Sequence, residues 1–312
     1  VSVLALAGGV GGAKLAEGLA AILPPGALTV AVNVGDDFEH LGLHISPDID
    51  TVTYTLAGLN NQEQGWGLEG ETWNFITALE RLGGESWFRL GDRDIATHIE
   101  RTRRLRSETL SAVTADFAAR LGIRQNIVPV SDDPVRTMVR TDQGLLAFQD
   151  YFVRLRCAPK VEKLEFPGIA GMKPSRGLLA ALSAPDLEAI VICPSNPFLS
   201  ILPILSIPGI RPALEQRNAP LVAVSPIIGG AAVKGPAAKI MDELGWTVSS
   251  VGVAGFYGTL LDGLMIDKVD AHLAPEIDGS EVLVGDTMMR NSEDRRRVAA
   301  EVLAFARGLV RR

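Results

Sequence analysis

Val3-Leu4-Ala5-Leu6-Ala7-Gly8-Gly9-Val10-Gly11-Gly12-Ala13-Lys14 is the stretch on which the fold turns. A short apolar run ends in glycines and passes into helical apolar spacing over residues 13–22. Residues 29–34 are again apolar and β-branched, which predicts a strand, a crossover helix and a second parallel strand. Backbone N–H groups at such a turn, together with the helix start, can face an anion. Glycine tolerates positive φ there and lets a phosphate come close to the backbone. Gly8, Gly9, Gly11, Gly12 and Lys14 are therefore candidates for binding phosphate. The spacing is not G-x-G-x-x-G, and no Gly-Lys-Ser/Thr follows, which argues against a dinucleotide enzyme and a P-loop kinase. A tight turn without a ligand would use the same glycines.

Two acidic segments follow, Asn33-Val34-Gly35-Asp36-Asp37 and Ser46-Pro47-Asp48-Ile49-Asp50-Thr51. The first lies just past the carboxyl end of the expected second strand, the edge where open α/β sheets bind ligands. Mg²⁺ takes one or two carboxylates and completes its shell with water and phosphate oxygens. Asp36, Asp37 and Asp48 are the metal candidates, Asp36 first among them, and Asp36 and Asp50 the catalytic ones. Blander roles exist: Asp48 as N-cap of a helix over 49–56, and Asp50 as a first-turn charge on that helix.

The strand-and-helix alternation returns late in the chain. Residues 189–193, 221–224, 248–253 and 264–266 read as strands and 236–244 as a helix. Residues 292–309 read as a terminal helix with Ser292 as its N-cap. The expected fold is α/β: a Rossmann-like, doubly wound, mostly parallel sheet with an inserted, largely helical lobe. Residues 1–57 and 171–312 are assigned to the core and 58–170 to the insertion, helical over 71–121 and β-rich over 127–166. Thr141-Asp142-Gln143-Gly144 reads as a hairpin turn. Pro194-Ser195-Asn196-Pro197 and Ser225-Pro226-Ile227-Ile228 end successive strands, so Ser195, Asn196 and Ser225 are candidates for a nucleotide crevice; rigid turns would look alike.

Three of the four tryptophans, Trp66, Trp73 and Trp87, fall in the insertion. They serve either as core or, beside Arg89, Arg93 and Asp94, as a lid over a flat ring. The chain has 312 residues, 47 % of them apolar, and no apolar run near the ~18 residues of a membrane span. A net charge of −7 disfavours a general nucleic-acid surface; the arginine runs at 101–106 and 295–297 read as solvated helix faces, with a larger role left open for the first, which follows Gly91-Asp92-Arg93-Asp94. Two cysteines, Cys157 and Cys193, give no disulfide framework, and the first residues read as a buried strand instead of a signal peptide. A cytoplasmic protein is expected.

These motifs resemble the 2-phospho-L-lactate transferase family of deazaflavin coenzyme F-420 biosynthesis. The matching segments are 7–14, 33–37 and 47–51, then Trp66-Gly67, Glu71-Thr72-Trp73, Leu90-Gly91-Asp92-Arg93-Asp94, and the loops at 194–197 and 225–228, in the family's order. The resemblance implies a Mg²⁺-dependent transfer of a phospholactyl or related phospho-acid group from a guanosine-diphosphate-linked donor. The acceptor would be the terminal hydroxyl of the deazaflavin FO, with GMP released. It further implies a homodimer, and FO contacts at Asp50 and Arg89, with Trp66 beside them. It leaves open whether the acid is phospholactate, phosphoenolpyruvate or 3-phosphoglycerate.

A related family of non-enzymatic, nucleotide-sugar-binding regulators opens with a similar strand and glycine turn. Such a protein needs neither metal nor flavin platform, so the acidic motifs and the Trp66 to Asp94 block favour the transferase.

Overall fold

The computed structural model describes residues 1–309. Seven strands build the central sheet: β1 (Ser2–Ala7), β2 (Leu28–Val32), β3 (Asn126–Pro129), β4 (Leu187–Ile192), β5 (Leu221–Val224), β6 (Gly263–Asp267) and β7 (Glu281–Gly285). Their spatial order is β7-β6-β5-β4-β1-β2-β3, and every neighbouring pair is parallel. Helices cover both faces of a parallel sheet, so inner strands need unbroken apolar runs. Leu4 through Ala7 and Ala189 through Ile192 are completely buried. β1 pairs Leu6 with Ala31 on one side and with Ile192 on the other.

From β1 the chain winds outward to β2 and β3, then returns beside β1 with β4 and winds the other way. The reversal between β1 and β4 is a topological switch point, and the crevice beyond it is where ligands bind in such sheets. Helix α1 (Gly9–Ile22) leaves β1 at that crevice, and α2 (Pro47–Leu56) packs beside it. The C-terminal helix, Ser292–Gly308, lies against the other flank of α1.

Several expectations need correction. Residues 248–253 are not a strand: Ser250–Tyr257 is a helix whose start is capped by the Ser249 hydroxyl, which accepts from the Gly252 N–H at 3.2 Å. Its valines resemble a strand in isolation, but a capping serine and the buried positions Val253, Ala254 and Tyr257 follow helical spacing. Asn291, not Ser292, caps the terminal helix, with Oδ1 accepting from the Asp294 N–H at 2.9 Å. The half-exposed edge strand β7 was not anticipated, because its apolar signal is weak. β3 lies within residues 58–170 and completes the edge of the central sheet.

The rest of 58–170 holds α3 (Asn74–Arg81), α4 (Asp92–Arg104) and α5 (Leu110–Arg120). It also holds a three-stranded sheet of Gly144–Ala147, Met138–Thr141 and Val161–Glu165, with the expected hairpin at 141–144. α3 and α4 cap each other. Asp92 accepts from the Phe75 N–H at 2.9 Å, the Asn74 N–H at 3.1 Å and the Thr72 hydroxyl at 2.6 Å. Glu71 in turn accepts from the N–H groups of Arg93 and Asp94 at 2.9 and 2.7 Å. Each carboxylate satisfies helix-start donors that otherwise lack partners, and meets the positive end of a helix dipole. Among the described residues no helix is long and apolar enough to cross a membrane.

Candidate active site

The glycine turn sits at the carboxyl end of β1, against the loop that ends β4. A Cβ on Gly11 would stand 2.2 Å from the Pro194 carbonyl oxygen, so no larger residue allows this approach. Gly9 has φ +64°, the left-handed region that glycine enters without strain. The helix itself begins at Gly9, which places the glycines inside its first turn. Two turn amides are already used within the chain. The Gly8 N–H donates to Ser195 Oγ at 3.1 Å and the Gly9 N–H to Asp48 Oδ1 at 2.6 Å. Val10 and Gly11, by their position in the first turn, have no intrahelical acceptor.

Asp48 is thus not the cap of α2. Ser46 holds that position and Pro47 begins the helix, so Asp48 projects back to the glycine turn. Asn33, at the end of β2, ties the cluster together. Its amide donates to Asp48 Oδ2 at 3.0 Å and Asp36 Oδ1 at 3.3 Å, while its Oδ1 accepts from the Gly35 N–H at 2.8 Å. Asp37 faces elsewhere: its Oδ2 accepts from Ser46 Oγ at 2.8 Å and lies 3.1 Å from His44 Nε2. The other oxygen of Asp37 is buried without a hydrogen-bond partner.

Burial, reinforced by the charges of Asp48 and Asp37, holds the Asp36 carboxyl well above the usual carboxylate range. Burial also pushes Asp48 up to about 6, against the hydrogen bonds from Asn33 and Gly9, and Asp37 adds to the rise. Carboxylates crowded out of water favour a proton or a cation between them. Among the described residues no group of three His, Cys, Asp or Glu side chains is disposed to hold a metal ion. Asp36, Asp37 and Asp48 therefore do not close a site by themselves. Asp36 and Asp48, sharing one amide, fit the Mg²⁺ pattern of two carboxylates completed by water and phosphate.

Asp50 points away from this pair, to α4. Arg101 grips both of its oxygens, Nη1 donating to Oδ2 at 3.0 Å and Nη2 to Oδ1. Arg101 is only 2 % exposed, so the first arginine of the 101–106 run is no solvated face. His98 Nδ1 lies 3.4 Å from Arg101 Nη1, and His98 Nε2 lies 3.2 Å from Asp94 Oδ2. The Tyr54 hydroxyl donates to Asp94 Oδ1 at 2.5 Å. Burial works against the Arg101 charge, but Asp50 outweighs it and raises the guanidinium above its ordinary value. Removing one partner of such a buried pair costs about 3–5 kcal/mol. A cavity of about 240 Å³ opens beside the pair, lined by Ile49, Thr53, Tyr54, Thr114 and Phe117.

The other candidates are distributed around the crevice. The loop carrying Trp66 leans on the glycine turn, since a Cβ on Gly65 would meet Val10 at 2.8 Å and Lys234 Nζ at 2.9 Å. Trp66 itself is half-exposed. Lys14 Nζ donates to the Met289 carbonyl at 3.0 Å, and burial, with Arg295 and Lys234 nearby, lowers its pKa. Asn196 spends its carbonyl on a cap, accepting from the Phe198 and Leu199 N–H groups at 2.9 and 3.1 Å. Ser225 accepts from the Ile227 N–H at 3.2 Å and from Ser250 Oγ at 3.2 Å. Arg89 is exposed and stacks on Trp73, 4.6 Å from the ring centre, so it and Asp50 are held by different partners. Sequence reasoning passed over Asn33, Tyr54, His98 and Arg101. The 94/98/101 spacing on α4, one helix face, was the available signal for the last two.

The sequence model of a family described as 2-phospho-L-lactate transferase CofD matches residues 3–303. A phosphoenolpyruvate transferase of Streptomyces griseus is 42 % identical over 287 residues, covering 90 % of both chains. A 2-phospho-L-lactate transferase of Methanosarcina acetivorans is 41 % identical over 303 residues, covering 96 % of this chain and 97 % of its own. Among solved structures, a UPF0052 family protein from Bacillus halodurans superposes with a TM-score of 0.62 at 18 % identity, over 97 % of this chain and 98 % of its own. That last likeness is one of fold.

Proposed function

The chain belongs to the 2-phospho-L-lactate transferase CofD family, and from that premise we propose that it passes a phospho-acid group from a guanosine-diphosphate-linked donor to the deazaflavin FO. The acid is a phospholactyl, phosphoenolpyruvyl or 3-phosphoglyceryl group. Relatives named for two different acids are equally similar to this chain, at 42 % and 41 % identity. The supporting observation is the meeting, at the switch point between β1 and β4, of a glycine helix start with the Asp36 and Asp48 carboxylates shared by Asn33.

In the proposed reaction the terminal hydroxyl oxygen of FO attacks the phosphorus that carries the acid. The bond from that phosphorus to the bridging oxygen breaks, GMP leaves with the bond's electrons, and the hydroxyl proton passes to a carboxylate. Phosphoryl transfer asks for in-line placement and charge neutralisation more than covalent catalysis. Free amides at the start of α1 bind donor phosphate oxygens. Asp36 and Asp48 would hold Mg²⁺, which would supply charge neutralisation for the diphosphate. Asp48 or Asp50 orients the hydroxyl or takes its proton. Trp73, stacked with Arg89, and half-exposed Trp66 would each offer flat surface to the ring.

The test is mass spectrometry of products from FO, GTP, a guanylyltransferase and each phospho-acid in turn. One acid should give an FO-phospho-acid adduct and GMP; no adduct with any of the three refutes the reading.

A further inference from the structure

We propose that Arg101 is a positioning residue of the acceptor site, acting through Asp50 and held in turn by His98, Asp94 and Tyr54. The proposal rests on the reading that FO binds at Asp50.

A guanidinium that grips both oxygens of a carboxylate fixes the carboxylate plane as well as neutralising it. An ionised carboxylate has about four lone-pair sites, so two remain once the fork is engaged. Asp50 can then accept a hydroxyl or ring N–H from the acceptor, with its plane already set. Its role in holding FO is that of an anchor fixed in its plane. Arginine is a long, flexible side chain, and fixing it demands further contacts. These come from the 94/98/101 face of α4: His98 beside the guanidinium, Asp94 on the far nitrogen of His98, and the Tyr54 hydroxyl on Asp94. Tyr54 stands one turn after Asp50 on α2, so the chain of contacts returns to the helix where it began.

A purely structural clamp between α2 and α4 would contain the same bonds. The neighbouring cavity separates the two roles, because its lining includes both Asp50 and Arg101 together with the solvent-accessible side chains of Glu100 and Arg120. A small planar cation can therefore enter where the side chain has been removed.

The experiment uses the full chain with Arg101→Ala and Arg101→Lys, FO fluorescence titration, steady-state rates and donor titration. Removal or blunting of the fork should raise the Kd and KM for FO by about 10–100-fold, by analogy with residues that orient metal ligands from the outer shell. kcat at saturating FO and donor affinity should change little. Millimolar guanidinium should restore FO affinity in Arg101→Ala, while methylammonium should not. In an Asp50→Asn background Arg101→Ala should add no further loss of FO affinity. Wild-type KM and kcat in Arg101→Lys, or an Arg101→Ala defect that guanidinium leaves untouched, overturns the proposal. Should Arg101→Ala not fold, Arg101→Lys decides alone. Wild-type protein that fails to bind FO refutes the functional reading itself, whereas normal binding in wild type and both variants refutes only the role of Arg101.

Discussion

Asp48 occupies the Gly9 N–H, the first amide of α1, at 2.6 Å. A carboxylate thus sits where a phosphate oxygen would approach, and the two anions repel unless a cation lies between them. GDP should accordingly bind weakly in chelator and much more tightly with Mg²⁺. Asp48→Asn should tighten binding in chelator and shrink the gain from Mg²⁺. Calorimetry of GDP with both proteins, with and without the ion, reads this directly, and equal Mg²⁺ gains in the two would count against it.

Asp36 carries a related expectation. Its carboxyl is held high by burial and by Asp48 and Asp37, so the ionised form weighs against the fold. Asp36→Asn should leave the metal-free protein as stable as wild type or more so, while abolishing the rise in Tm that Mg²⁺ gives. Turnover should fall by about 10²–10³-fold, as when one preorganised electrostatic contact is removed. Near-wild-type rate at saturating donor would remove Asp36 from the mechanism.

The clasp between α3 and α4 should respond to acid. The Thr72 hydroxyl, the Phe75 N–H and Asn74 hold Asp92 down at about 2, below an ordinary value of about 3.9. A depressed carboxyl contributes stability above its unfolded value and loses it as pH falls through the folded one. The Tm difference between wild type and Asp92→Asn should be full above about pH 4 and shrink toward pH 2. Calorimetry across that range checks the sign; a gap independent of pH would mean the Asp92 charge contributes nothing.

Asn196 is a cap before it is anything else. Asn196→Ala should cost about 1 kcal/mol of stability through the lost bonds to Phe198 and Leu199. In urea the midpoint should fall with an unchanged slope. If GDP affinity falls as well while FO affinity holds, the remaining amide group of Asn196 also serves the nucleotide.

The parts of the fold legible in the sequence were those whose physics is local. β1, the glycine turn and α1 declare themselves within a dozen residues, because strand, turn and helix each have a period or a breaker. The helix at Ser250–Tyr257 was misread since three nearby valines imitate a strand, and its buried side shows only once the sheet is assembled. Of the site, the acidic residues were visible as a cluster of type, but their partners were not. Asn33 looked like a strand end until its amide met Asp36 and Asp48. Arg101 stood out only as part of a charge run next to the Gly91-Asp92-Arg93-Asp94 motif, and only the approach of α2 to α4 turns it inward to Asp50. Pairing across elements is a tertiary property, and charge runs alone do not carry it.

The Glu71 and Asp92 clasp also divides what can drift from what cannot. Loss of Asp92 strips the cap from α3 and loss of Glu71 the cap from α4, so neither can change without leaving helix-start amides unpaired. Trp73 and Arg89 stand beside those starts, stacked on each other, and neither contributes a side-chain hydrogen bond to the clasp. A lineage could therefore trade them for other side chains, and so retune the surface shown to an acceptor, without dismantling the lobe that presents it.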